Sequence, residues 1–251
     1  MRNSFGMICR EWRKQKRYSQ LQLALELGIS SKHISFIETG RSIPSRELIL
    51  KIGEFLFLPK KEVNRGLISA GFAPVYTQLA YGHAELKPVF HAIDQMLMNH
   101  MPYPALVLDQ YWDVVSMNPS AESLMTKLGF SGFRNLIEAI LSDAPDSSCI
   151  VNWREVVRSV YIRFRYEMTL ASRSARHEEL EGLLATALAS QGYLDVNETA
   201  PISSVQLRLP DGELSFFSMI AQIGTVQDVT VSELKVELMF PTDEETKAYY
   251  E

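Results

Sequence analysis

Apolar positions in the first part of the chain recur three and four apart, in short runs broken by caps and glycines. Phe5, Ile8, Cys9 and Trp12 share one side of a helix expected over Phe5–Lys16. Ser19 and Gln22 then form a capping-box pair, in which a hydroxyl takes the backbone N–H of the third residue and the amide reaches back. In the helix they open, Leu21, Ala24, Leu25 and Leu27 are the expected inward side. Gly28 suits a left-handed stop, and Ser30 caps a third helix to Glu38 or Thr39 with Ile34 and Ile37 inward. Gly40 ends it. Ser45 caps a fourth helix, in which Leu48, Ile49, Ile52 and Phe55 face in, and a fifth spans 60–70 before Gly71.

The pattern changes after residue 71. Residues 72–87 lack a clean period but carry Phe72, Tyr76 and Tyr81, more aromatic weight than a free linker needs. A helix over Val89–Asn99 follows. Ala105–Leu108 and Trp112–Met117 alternate as a strand pair about Asp109-Gln110, and Pro119 opens a helix toward Gly129. Helical patterns recur at 135–141, 151–170 and 177–190. The last part reads as strands: 205–209, a continuous apolar run at 214–224 expected as a central strand, and 234–240. In the last of these, Lys235, Glu237 and Met239 are expected on the water side. Two strands, several helices and three strands predict an α+β domain with an antiparallel sheet and helices on one side.

Charge sharpens the division. Residues 1–70 hold 13 Lys or Arg against 6 Asp or Glu, net +7, and residues 71–251 hold 12 against 24, net −12. A basic head on an acidic body suits a head that meets phosphate. The two cysteines, Cys9 and Cys149, match no metal spacing and suit a reducing compartment, so a cytoplasmic protein is expected. No long apolar run suggests a signal peptide or a membrane span. The scattered histidines (His33, His83, His91, His100 and His177) sit at no metal-ligand spacing, and no nucleophile, phosphate-loop or dinucleotide motif occurs. No catalytic residue, metal or cofactor is expected.

The steep hairpin of the second and third helices is the geometry that lets one helix enter a major groove while its neighbour sits against the backbone. Gln20 is placed for a phosphate. Ser30, Ser31, Lys32, His33, Ser35, Phe36 and Thr39 line the outward side of the third helix, with Arg41 and Arg46 beyond it, and together they form the candidate DNA contact set. Lys32 has the reach for a guanine edge or a phosphate, the serines for either, and Phe36 for a thymine methyl.

Ser19-Gln20, Ala24, Gly28-Ile29-Ser30, Ile34, Ile37-Glu38, Gly40-Arg41 and Pro44-Ser45 resemble the lambda-repressor-like, or Cro/C1 (XRE), DNA-binding domain. Pro104-Ala-Leu-Val-Leu-Asp109, Trp112-Asp-Val-Val, Asn118, Gly224-Thr225, Gln227-Asp228 and Glu237-Leu-Met-Phe-Pro241 resemble the MmyB-like ligand-binding domain, a PAS-like module. One departure is Phe57-Leu58-Pro59, where an acid commonly precedes the proline. The resemblance implies an all-α five-helix head at 1–71, a connector at 72–87, and an α+β ligand-binding and dimerisation domain at 88–251. It also implies a regulator that binds double-stranded DNA as a homodimer and responds to a small apolar, fatty-acid-like ligand. Trp112, Trp153, Val157, Tyr161, Phe164, Phe216, Met219 and Leu238 are the candidate pocket residues, with Arg154, Arg158 or Arg208 at its mouth for a carboxylate. Two alternatives stay open: a body serving only dimerisation or a protein partner, and an enzyme carrying a DNA-binding head.

Overall fold

The caps set the helix boundaries of the head. Ser19, Ser30 and Ser45 each accept a backbone N–H, from Gln22, His33 and Leu48, and Gln22 closes the capping box on Ser19. They open α2 (Gln20–Leu27), α3 (Ser31–Glu38) and α4 (Arg46–Phe55), which follow α1 (Ser4–Gln15) and precede α5 (Lys60–Ser69). Gly28 stands at φ 70, the left-handed stop between α2 and α3. The computed structural model describes residues 4–142, 148–170, 174–189, 203–224 and 227–251. Ser190 and Thr225, at the edge of an expected helix and in a quoted motif, lie outside them.

The described residues form two compact units. The first reaches Leu79 and includes 167–170 and 227–229; the second holds the remainder. In the first unit all five helices close on one core of Phe5, Cys9, Trp12, Leu23, Ala24, Leu27, Ile34, Ile37, Ile49, Ile52, Leu56, Val63 and Leu67. Leu21 and Leu25 do not join it, being 58% and 70% exposed. The inward face of α2 is instead Leu23, Ala24 and Leu27, three and four residues apart, whereas Leu21 and Leu25, one turn apart, share the side that the core does not reach. The Trp12 indole stands edge-on to Phe5 at 5.8 Å and donates to the Glu62 carboxylate at 2.8 Å. Gly66 gives it room: a Cβ there would sit 2.3 Å from the ring. The connector is fastened to this unit. Asn64 donates to the Tyr76 carbonyl and accepts from the Val75 and Tyr76 N–H groups, while Asp228 accepts from the Leu79 N–H.

The second unit begins with a short 3-10 turn and α6 (Lys87–Asn99). The chain continues through β1 (Ala105–Leu108), β2 (Val114–Met117), α7 (Pro119–Lys127), α8 (Leu136–Ile140), α9 (Trp153–Leu170) and α10 (Ala175–Ala189). It ends through β3 (Val205–Leu209), β4 (Gly212–Gln222), α11 (Val229–Ser232), β5 (Lys235–Pro241) and α12 (Glu244–Tyr250). The five strands form one antiparallel sheet in the order β2-β1-β5-β4-β3. This is the α+β domain behind an all-α head that the element order predicts.

Three expectations change. The central strand is β5; β4 lies one strand out, and its second half is largely exposed, so its apolar run reflects the cavity beside it rather than burial on both faces. Lys235, expected in water, is 4% exposed on β5. Helices lie on both faces of the sheet. Glu237 and Met239 share a cavity with residues of α7 and α9, whereas Leu238 and Phe240 face α6, with the His100 ring 4.8 Å from Phe240.

Candidate nucleic-acid interface and ligand cavity

Glu38 holds α3 in place. Its side chain is fully buried and takes the Arg13 guanidinium in a two-point grip, at 2.5 and 2.9 Å, with Gln20 at 2.8 Å and Arg10 at 3.4 Å. One carboxylate thus joins α1, α2 and α3. Burial pushes its pKa up, but the hydrogen bonds from Arg13, Gln20 and Arg10 and the charge of Arg13 prevail and hold it below the ordinary value.

On the outward side, Ser31, Lys32, Thr39, Arg41 and Arg46 are exposed, and Gln20, His33, Ser35 and Phe36 are half-buried. Phe36 lies between the Lys32 ammonium, 5.5 Å from the ring centre, and the Arg41 guanidinium at 5.8 Å. The ring thus has two cations within cation–π reach on the outward side of α3. Several candidate contacts are partly engaged. Gln20 gives an N–H to Glu38 at 2.8 Å, the Ser30 oxygen caps α3, and the Thr39 hydroxyl donates to the Ser35 carbonyl at 2.8 Å.

The second unit encloses a cavity of about 410 Å³ between the sheet and the helices α7, α8 and α9. Its walls are apolar: Leu106, Leu124, Met125, Phe130, Ile140, Val156, Val160, Phe216, Ile220 and Met239. The volume lies in the range of small-molecule sites. Of the candidate pocket residues, Trp112 and Phe216 line it. Trp153, Val157, Tyr161, Phe164, Met219 and Leu238 do not. The reason is a rotation of α9. Trp153 and Phe164 face neighbouring helices, the Trp153 indole donating to the Ile140 carbonyl and Phe164 packed near His177, and Val157 is fully buried, while Val156, Ser159, Val160 and Arg163 face the cavity. Met219 and Leu238 are cross-strand partners on the opposite sheet face. Arg154, Arg158 and Arg208 also stand away from the lining, and Arg208 pairs with Glu213 at 3.0 Å.

Among the described residues the charged groups that line the cavity are Arg163 and Glu237, 3.1 Å apart. Arg163 also lies over the Trp112 ring at 4.5 Å, and Lys235 lies at 5.0 Å from the same ring. Trp112 does not continue a strand. It stands at φ 66, an uncommon conformation for a large side chain, held by its N–H to the Asp109 carbonyl and its carbonyl to the Leu136 N–H. Asn135 binds the Tyr111 carbonyl and the Asp113 carboxylate on either side. The sequence reading misses both: Glu237 shares its strand face with Met239, and Arg163 stands three and seven residues after Val160 and Val156, spacings that could have placed them at the cavity.

The Helix-turn-helix family model matches residues 10–63, and the model of the MmyB-like transcription regulator ligand binding domain matches residues 89–251. The chain belongs to the MmyB-like transcription regulators. No curated protein matches it. In this family the head is a DNA-binding module and the body a ligand-binding domain, an architecture of regulators and not of enzymes. Among the described residues no three His, Cys, Asp or Glu are grouped to hold a metal, and no helix is long and apolar enough to cross a membrane. The cavity of this MmyB-like regulator lies within the matched ligand-binding domain.

Proposed function

We propose that the chain is a one-component sensor, a cytoplasmic homodimer that binds a pseudo-palindromic site in double-stranded DNA. In this reading the body takes a small apolar ligand with a fatty-acid-like chain and thereby modulates DNA binding. The observation that carries it is the apolar cavity inside the ligand-binding domain, behind a head whose outward helix presents Lys32, Phe36 and Arg41. A ligand changes DNA affinity only by binding two arrangements of the protein unequally. The dimer supplies such arrangements through the spacing of its two recognition helices. A body that serves only assembly has no need of a cavity of this size.

The test is native mass spectrometry of the purified full chain, followed by solvent extraction. The expected result is a dimer carrying, or accepting, one amphiphile per protomer. A chain that stays ligand-free through a screen of amphiphiles would remove the sensor reading and leave the DNA-binding one.

A further inference from the structure

We propose that the ligand's head group is neutral, an alcohol, amide or ester, and not an ionised carboxylate; this rests on the sensor reading above. Acyl-chain ligands come in both forms, and the cavity wall distinguishes them. Arg163 and Glu237 are the charged side chains among its lining residues, and they already neutralise one another at 3.1 Å. Neither is loose. Glu237 sits in the middle of the sheet, opposite Leu106 on β1 and Ile220 on β4, both of which also line the cavity. Arg163 is pinned over Trp112, whose own backbone is fixed on both sides.

Lys235 does not line the cavity; it is buried on β5, with its ammonium 5.0 Å from the Trp112 ring centre. Among the described residues the lining of the cavity therefore carries no positive charge without a negative one beside it. A carboxylate brought to Arg163 meets the Glu237 carboxylate at the same place, in surroundings that screen poorly, and like charges so juxtaposed are strongly disfavoured. A neutral head suits both groups: an O–H or N–H donates to Glu237, and an oxygen accepts from Arg163. Ser159, one turn before Arg163 on α9, adds a hydroxyl on the same wall.

The experiment is calorimetric titration of the lipid-stripped full chain with dodecanol, dodecanamide and dodecanoate, well above the usual carboxylate range. The neutral compounds are expected to bind at least about tenfold more tightly than dodecanoate. In Glu237→Gln, which keeps the shape and a hydrogen-bonding partner for Arg163, the gap should close or reverse. Dodecanoate binding the wild-type chain as well as the neutral compounds do would overturn the proposal without need of the variant. So would a Glu237→Gln ratio equal to the wild-type one in a folded protein. Binding of none of the three would remove the acyl-chain reading itself, and this proposal with it.

Discussion

Glu38 shows how one side chain fixes a helix within the DNA-binding head. Removing it leaves the Arg13 guanidinium, itself largely buried, with its charge unmatched. Breaking a buried pair in this way typically costs about 3–5 kcal/mol. Glu38→Ala should therefore lower the denaturation midpoint of the full chain and weaken DNA binding as α3 loses its anchor. The pH dependence follows from its lowered pKa: the stabilisation is present above the ordinary carboxylate range and is lost as pH falls through the depressed native value. Glu38→Gln should flatten that acid limb in a pH series of denaturant melts. Cys9 lies in the same core, where burial, then the nearby Glu38 charge, push its thiol up to about 12 against the pull of Arg13. Only the thiolate reacts, so at mildly alkaline pH a thiol reagent should label the half-buried Cys149 while Cys9 waits for unfolding. Prompt labelling of Cys9 in the native chain would contradict the packing described.

At the scale of elements, α1 and α5 meet through a ring and a missing side chain. Gly66→Ala places a Cβ 2.3 Å from the Trp12 indole, so the ring or the helix must move. Overpacking of this kind costs about 1–3 kcal/mol, against the small gain that alanine brings to a helix. A thermal melt of Gly66→Ala should show net destabilisation; a stabilised variant would mean that α1 and α5 pack otherwise. On α3, Lys32 stands exposed beside Phe36. If Lys32 meets a phosphate, Lys32→Ala weakens binding evenly across DNA sequences and lowers the salt slope by about 1. The exposed position and the reach of its stem past Phe36 favour that outcome over base-specific loss, and salt titrations on cognate and random DNA decide it.

These same elements show what the sequence makes legible. Ser19, Ser30, Ser45 and Gly28 mark the head's boundaries because capping is local chemistry that neighbouring residues complete. Trp112 is different: its left-handed backbone depends on Asp109, Asn135 and Leu136, the last two of them distant in the chain, and no local pattern announces it. The face of α9 that lines the cavity is likewise set by what packs on either side. Trp153 and Phe164 are the larger residues and signal burial, yet burial against a helix and exposure to a cavity have the same periodicity. Glu237 was hidden by a sound rule, since a charged residue alternating along a strand usually faces water.

At the scale of the whole molecule, a head in which Glu38 anchors α3 and a body with an apolar cavity lie in one chain, and in the proposed sensor DNA and ligand exchange free energy through it. Such coupling is reciprocal, so DNA must change ligand affinity by the same factor that ligand changes DNA affinity. The direct measurement is the affinity of the full chain for its own site, selected from random duplex DNA, with the cavity empty and then saturated with the tightest-binding amphiphile. A shift of about 5- to 150-fold in one direction is expected. An affinity that stays the same with the cavity filled would contradict it.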